Sequence, residues 1–246
     1  MPNKPVLVIR PLREEDAFLK LLDQAKISFN YTPIMSIDPV SADSDDFARA
    51  TRFIDGLNQF DQVIFISANA AEIGLPMIAQ RWPQIPQNTQ FLAVGQQTAG
   101  IFSAFDYPVS YPQLQPNTEG LLQELPQLHD LTAKSVLILR GGRGRQTLGD
   151  ELAKRGAKVT YAELYRRNID AKNLVEAQNF ASQASCIVVH SGELLQAMGS
   201  PADKRIPLVV PSDRIAQLAQ EMGYQSVQVA QNALPSSMYE AVVQAL

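Results

Sequence analysis

Between residues 140 and 167 the chain carries Arg140, Arg143, Arg145, Lys154, Arg155, Lys158, Arg166 and Arg167 against Asp150, Glu151 and Glu163. That is a local charge of +5 in a protein of net charge −4. Guanidinium forks suit bidentate capture of carboxylates, so the run points to an anionic ligand. Lys154, Arg155 and Lys158 fall near the end of an expected helix, where cations are favoured, and read as solvated helix faces. Arg140 and Arg145 flank an expected strand-to-helix turn with Gly142 between them, and are candidate carboxylate binders. The string Arg140-Gly141-Gly142-Arg143-Gly144-Arg145 also has the look of an RNA-binding RGG segment. Its place between a strand and a helix, and a pI near 5.3, argue against nucleic acid. Ser67 and Ser191 end similar apolar strands; such a serine caps the next helix, and the same turn offers backbone N–H groups to a ligand. Arg10 ends the first strand, placed either to bind a carboxylate or to bridge to an acid of its own domain.

These residues must be positioned by a chain of 246 residues, long enough for one large α/β domain or two small ones. Hydrophobic residues make up 46% and charged residues 19%, an ordinary globular composition. No apolar run approaches the ~20 residues needed to span a membrane. The apolar stretch Val6-Leu7-Val8-Ile9 before Arg10 is too short for a signal peptide, which needs about 7–15 residues. The single cysteine, Cys186, cannot form an internal disulfide, so a cytoplasmic protein is expected. Two histidines and one cysteine make no zinc site, and no metal is expected. Neither nucleic acid nor an anionic membrane is expected as a partner of an acidic chain.

The chain contains an internal repeat at an offset of 130 residues without gaps. Val6-Leu7-Val8-Ile9-Arg10 is matched by Val136-Leu137-Ile138-Leu139-Arg140, Phe18 by Leu148, Leu22 by Leu152, and Tyr31 by Tyr161. A weaker echo links Val63–Ser67 with Ile187–Ser191, and Phe91–Gly95 with the stretch from Pro207 to Val210. Apolar runs predict strands at 5–9, 32–37, 62–67, 91–95, 107–111, 135–140, 157–165, 185–190, 207–210 and 226–230. Ten strands with helices between them fit two flavodoxin-like domains, each a five-stranded parallel sheet flanked by helices. The extended segments 31–37 and 157–166 are long enough to cross between domains and pair as a two-stranded ladder. The expected division is a discontinuous domain of 1–36 plus 170–246 and a second of 44–160, with crossings at 37–43 and 161–169. Helix N-termini at the carboxyl edges of such sheets favour anions, and two sheets facing one cleft would double that supply.

Several motifs resemble the uroporphyrinogen-III synthase family, over nearly the whole chain. They are Arg10-Pro11, Pro33, Ser67-Ala68-Asn69-Ala70, Val94-Gly95-Gln96-Gln97-Thr98-Ala99, Thr118-Glu119-Gly120-Leu121, Arg140-Gly141-Gly142 with Gly144-Arg145, and Leu164-Tyr165-Arg166. Each is weak alone; their order and spacing together are fairly specific. Two departures stand out: no glycine near Lys26-Ile27, and Ser212-Asp213-Arg214 where the family often repeats a Gly-x-x-Thr-Ala turn. The resemblance implies a cofactor-free hydro-lyase that closes hydroxymethylbilane, with loss of water and inversion of ring D, to uroporphyrinogen III. It implies Tyr165 as the group facing the leaving hydroxyl, able to donate a proton or only to orient that hydroxyl. Arg10, Ser67, Asn69, Thr98, Arg140, Gly142, Arg145 and Ser191 are its candidate substrate contacts, with Ser212 or Arg214 in place of the missing threonine. A monomer that receives its small-molecule substrate from the preceding enzyme of the pathway is expected. The competing class is a cytoplasmic two-domain protein that binds a small anionic ligand without chemistry. A nucleotide-sugar glycosyltransferase would need a longer chain, and Gly141-Gly142-x-Gly144 lacks dinucleotide-binding spacing.

Overall fold

The computed structural model describes residues 4–11, 16–142 and 146–246. It divides into two compact units, Met1–Ser36 with Asn168–Leu246, and Ile37–Arg167. The first contains the strands β1 (Val6–Ile9), β2 (Phe29–Tyr31), β9 (Ile187–Val189), β10 (Leu208–Val210) and β11 (Val227–Val229). They form one sheet in the order β11-β10-β9-β1-β2, every pair parallel. The helices of this unit are α1 (Ala17–Gln24), α7 (Ala171–Ala181), α8 (Gly192–Met198), α9 (Asp213–Glu221) and α10 (Pro235–Ala245).

The second unit contains β4 (Gln62–Phe65), β5 (Gln90–Ala93), β6 (Val109–Ser110), β7 (Ser135–Gly141) and most of β8 (Lys158–Ile169). Its helices are α2 (Asp45–Asp55), α3 (Ala68–Ala79), α4 (Gln96–Gly100), α5 (Thr118–Glu124) and α6 (Thr147–Lys154). The sheet order is β3-β8-β7-β4-β5-β6, where β3 is Met35–Pro39. The ladder expected of the crossings is therefore the outer edge of this sheet. Asp170 N–H donates to the Ile34 carbonyl and Val40 N–H to the Leu164 carbonyl, both at 3.0 Å. The partner numbers run in opposite directions, so β3 and β8 are antiparallel.

Leaving β3 aside, the two sheets share one plan. In each, the repeated strand (β1 or β7) lies second from one edge, its successor outside it and the three others on its far side. That is the flavodoxin strand order, entered by the chain at different points. The weaker echo also has a place, since β4 and β9 occupy equivalent positions, as do β5 and β10.

The structure differs from the expected strand at 32–37. Only its second half is strand: β2 ends at Tyr31, Thr32, Pro33 and Ile34 follow, and β3 begins at Met35. Pro33 has no N–H to give to a ladder.

β1, β9 and β10 are apolar along their whole length, and β4, β5 and β7 largely so, because helices cover both faces of each sheet. In the second unit Val63, Phe65, Phe91, Ala93, Leu137 and Leu139 enter one core cluster, while Ile64, Leu92, Val136 and Ile138 enter the other. Phe65 anchors the first of these, with ring centroids of Phe91 and Phe102 at 5.7 and 4.9 Å in edge-to-face contact. In the first unit Val6, Val8, Phe18, Leu22, Val188 and Met238 form the corresponding core. Cys186 is buried there, and burial pushes its thiol up to about 12. Truncation of Phe65 to alanine is expected to cost about 3–5 kcal/mol, from lost transfer energy plus an unfilled cavity. Urea unfolding followed by circular dichroism checks this; a loss below about 1 kcal/mol would mean that the cluster does not depend on this ring.

Candidate active site

The polar groups singled out in the sequence sit where strands hand over to helices, at the carboxyl edges of the sheets. In the second unit Ser67 follows β4 in extended conformation, and its Oγ accepts from Ala70 N–H at 3.0 Å, capping α3. The same oxygen lies 3.0 Å from the Tyr165 hydroxyl. Asn69 stands in the first turn of α3, half-buried, and its side chain forms no hydrogen bond among the described residues. Thr98 is buried in the short helix α4.

Tyr165 reaches Ser67 because the sheet slips. β7 and β8 pair in register from Ser135 opposite Lys158 to Arg140 opposite Glu163, and then Gly141 faces Tyr165 with Leu164 left over. Strict alternation would place Tyr165 on the face of Tyr161 and Glu163. The bulge instead brings it into the core cluster of Ala162 and Leu164. Gly141 makes room for the ring, since a Cβ there would stand 2.6 Å from Tyr165 Cζ. Gly142 N–H donates to the Tyr165 carbonyl at 2.8 Å and fixes the strand beyond the slip. Tyr165 is 1% exposed. Arg167, two residues on, donates from Nη2 to its hydroxyl at 3.2 Å and sets its guanidinium 5.6 Å from the ring centroid.

Arg140 is 5% exposed and turns to the other face of the sheet. Its guanidinium lies 4.4 Å from the Tyr161 ring centroid, and Nη2 donates to Glu163 Oε1 at 3.3 Å. Burial pushes the Tyr161 phenol up, and the Arg140 charge opposes that shift. Glu163 also pairs with Arg166 at 3.4 Å; Arg166 pairs with Asp46, and Asp46 with Arg49. The hydrogen bond from Arg49 is the largest of the influences that hold the Asp46 carboxyl below its ordinary range. Five groups of alternating charge thus line the end of β8. Arg145 lies outside the described residues.

The first unit carries a smaller set. Arg10, 8% exposed, pairs with Asp16 at 2.8 Å and lies 5.6 Å from the Phe18 ring centroid. Asp16 caps α1 through Phe18 N–H at 2.9 Å, so Arg10 makes the bridge to an acid of its own domain. Ser191 caps α8 by accepting from Leu194 N–H at 3.2 Å. Ser212 stands at the N-cap of α9 without a capping bond from its side chain, and Arg214 is exposed in the first turn. His190 packs edge-on against Phe18, ring centroids 5.2 Å apart.

The structure brings Ser67, Tyr165, Gly142 and Arg140 to one sheet edge. It adds Asp46, Glu163 and Arg167, which were not among the candidates. Arg167 was within reach of sequence reasoning, because residues two apart on a strand share a face. Among the described residues no cluster of His, Cys, Asp and Glu could hold a metal ion, and no helix is long and apolar enough to cross a membrane.

These features define a class: paired flavodoxin-like sheets with hydroxyl and guanidinium groups at their carboxyl edges. Comparison with known proteins gives the family. A family model described as uroporphyrinogen-III synthase HemD matches residues 5–240. A uroporphyrinogen-III synthase of Escherichia coli is 30% identical over 252 residues, covering 96% of this chain and 99% of the relative. One of Salmonella typhimurium is 31% identical over 256 residues, with the same coverages. Among solved structures, a mutant uroporphyrinogen III synthase of Thermus thermophilus superposes with a TM-score of 0.69 at 14% identity, over 98% of each chain. A uroporphyrinogen-III synthetase of Helicobacter pylori gives 0.62 at 15%, over 99% of this chain and all of the other. The chain belongs to the uroporphyrinogen-III synthase family, a family of cyclising hydro-lyases.

Substituting Gly141 by alanine is expected to push the Tyr165 ring away from Ser67. The predicted result is a loss of about 1–3 kcal/mol in thermal or urea unfolding, from overpacking, together with reduced turnover. A variant of unchanged stability and rate would show that the ring does not need this space.

Proposed function

We propose that this chain closes hydroxymethylbilane to uroporphyrinogen III, with Tyr165 as proton donor to the departing hydroxyl. The observation that carries the assignment to Tyr165 is its placement: a backbone bulge turns one phenol toward Ser67 while Arg167 donates to its oxygen.

A chemical sequence follows. The hydroxyl of the terminal hydroxymethyl group leaves as water when a pyrrole nitrogen lone pair expels it and a proton reaches the departing oxygen. The Tyr165 O–H is the group offered for that proton. The resulting azafulvene is attacked by the substituted carbon of ring D, giving a spiro intermediate. That ring's bond to its former neighbour then breaks and re-forms at the other carbon, and loss of a proton restores the aromatic pyrrole. No step passes through a metal or organic cofactor. The protein must also hold a flexible octacarboxylate in one folded shape, since the unguided reaction gives the other isomer. Guanidinium groups and helix N-termini at the carboxyl edges suit that role. The guanidinium groups are Arg140, Arg214 and, from its place in the sequence alone, Arg145, and the turns are those at Ser67, Asn69, Thr98, Gly142, Ser191 and Ser212. Arg10 belongs to this set through the α1 cap that it fixes. The same reading has the enzyme act as a cytoplasmic monomer that takes its substrate from the enzyme that makes the linear tetrapyrrole.

Hydroxymethylbilane supplied to the protein, with the uroporphyrinogen isomers resolved, tests the assignment. Isomer III in excess of the enzyme-free control is expected, and isomer I alone would sink it. For Tyr165→Phe the expected result is a kcat lower by about tenfold or more with isomer III still formed, because general acids contribute about 10²-fold or more and the pyrrole lone pair shares the work here. A kcat equal to that of the unaltered enzyme would remove the proton-donor role.

A further inference from the structure

In the second unit one acid stands against the usual placement. Glu124 is the last residue of α5, where the helix dipole disfavours a carboxylate. It is held by the chain that enters the same helix. Gln113 N–H and Leu114 N–H donate to its Oε2 at 2.7 and 2.9 Å, and Gln115 N–H to its Oε1 at 2.8 Å. Three successive N–H groups thus close on one carboxylate, an anion-binding concavity whose anion is built into the protein. These bonds, that from Leu114 foremost, hold the Glu124 carboxyl below its ordinary range, with desolvation opposing them. Glu124 is therefore ionised at neutral pH, and the bonds are charge-assisted.

Packing does not fix this segment. Gln113, Leu114, Gln115 and Pro116 are all exposed, Leu114 at 85%. Hydrogen bonds and two close approaches set its shape. Gly120 lets it lie along α5, since a Cβ there would stand 1.9 Å from the Gln115 carbonyl oxygen. Gly95 receives its far end, since a Cβ there would stand 2.7 Å from Pro116 Cβ. Asn117 then caps α5 by accepting from Gly120 N–H at 2.8 Å. A line of contact runs from Glu124 through residues 113–116 to Gly95, which opens the turn carrying Thr98. Water can satisfy the N–H groups of an exposed loop, so loss of the carboxylate would free the segment without opening the core.

We propose that Glu124 is a positioning residue for the substrate. It fastens residues 113–115, and through Pro116 they set the place of the turn from Gly95 to Thr98. This role rests on the reading of that turn as a contact for the linear tetrapyrrole; the fastening of the loop does not.

The test compares Glu124→Gln and Glu124→Ala with the unaltered full-length protein. Glutamine keeps one carbonyl oxygen for the loop but not the charge, and alanine keeps neither. Amide hydrogen exchange at residues 113–115 is expected to quicken in the order Glu, Gln, Ala. With hydroxymethylbilane, KM is expected to rise in the same order, by about tenfold in Glu124→Ala, and kcat to hold within about threefold. A general loss of folded enzyme would lower the apparent kcat and leave KM in place, so the split separates positioning from stability. Exchange that Glu124→Ala leaves unchanged overturns the fastening. Faster exchange with an unchanged KM overturns the positioning role and leaves the enzyme reading intact. Isomer I alone from the unaltered protein removes the enzyme reading and this role together, so the two failures are told apart. If the alanine variant does not fold, Glu124→Gln, which keeps the side chain's size, carries the same comparison.

Discussion

The pairing of β7 with β8 holds register for six residues and then slips by one. Before the slip, alternation assigns Tyr161 and Glu163 to one face and Ala162 and Leu164 to the other. After it, Tyr165 stays with Ala162 and Leu164. A period-two strand without a bulge would direct the phenol to the Arg140 side, among the cations, instead of toward Ser67. Two features permit the slip. Gly141 has no Cβ to meet the ring, and Gly142 N–H takes up the Tyr165 carbonyl, so the ladder resumes without an orphaned acceptor.

The arginines near the slip serve different ends. Arg140, nearly buried, is held by Glu163 and by the Tyr161 ring, and removing Glu163 would leave a cation without its carboxylate in a low-dielectric site. Arg166 is half-exposed and shares Glu163 and Asp46; ion pairs at that exposure are individually weak. The line of alternating charges is thus more firmly held at its buried Arg140 end than from Arg166 to its exposed Arg49 end. A polycarboxylate meeting this edge would compete for the less firmly held cations first, leaving intact the pair that ties β7 to β8. The charge excess visible in the sequence is therefore at least partly structural.

Much of the fold was legible because parallel strands covered on both faces must be continuously apolar, and Val6–Ile9, Gln62–Phe65, Ser135–Gly141 and Ile187–Val189 announce themselves in that way. β2 escaped notice as a separate strand because Phe29-Asn30-Tyr31 is short and runs straight into Thr32-Pro33-Ile34, which has the same extended look. The site was legible in residue type and less so in orientation. That Ser67 follows a strand and caps a helix can be read from its neighbours. That Tyr165 turns to meet it depends on a one-residue slip between segments more than 20 positions apart, and local periodicity carries no record of that. Arg140 was read as a candidate carboxylate binder because it flanks a strand-to-helix turn, and its contact with Glu163 on the neighbouring strand is one that local pattern does not record. Arg10 shows the same effect, with Asp16 as the acid.

The repeat explains why the two halves end their equivalent strands differently. Arg10 and Arg140 are equivalent, as are Tyr31 and Tyr161, and each arginine needs an acid once it is buried at the end of a strand. In the second half Glu163 supplies it from the neighbouring strand, at the position that Pro33 holds in the first. Pro33 can neither pair with an arginine nor donate to a ladder, so β2 stops at Tyr31 and Arg10 turns to Asp16 in the cap of α1. Glu163 has an N–H and a carboxylate, so β8 continues for six residues beyond it, to Ile169. Tyr165, Arg166 and Arg167 all lie on that continuation. Their counterparts in the first half, Met35, Ser36 and Ile37, belong to β3, which runs beside β8 instead of extending β2. One position, proline in one copy and glutamate in the other, thus separates the half whose strand ends early from the half whose strand carries on to present a phenol and two guanidinium groups.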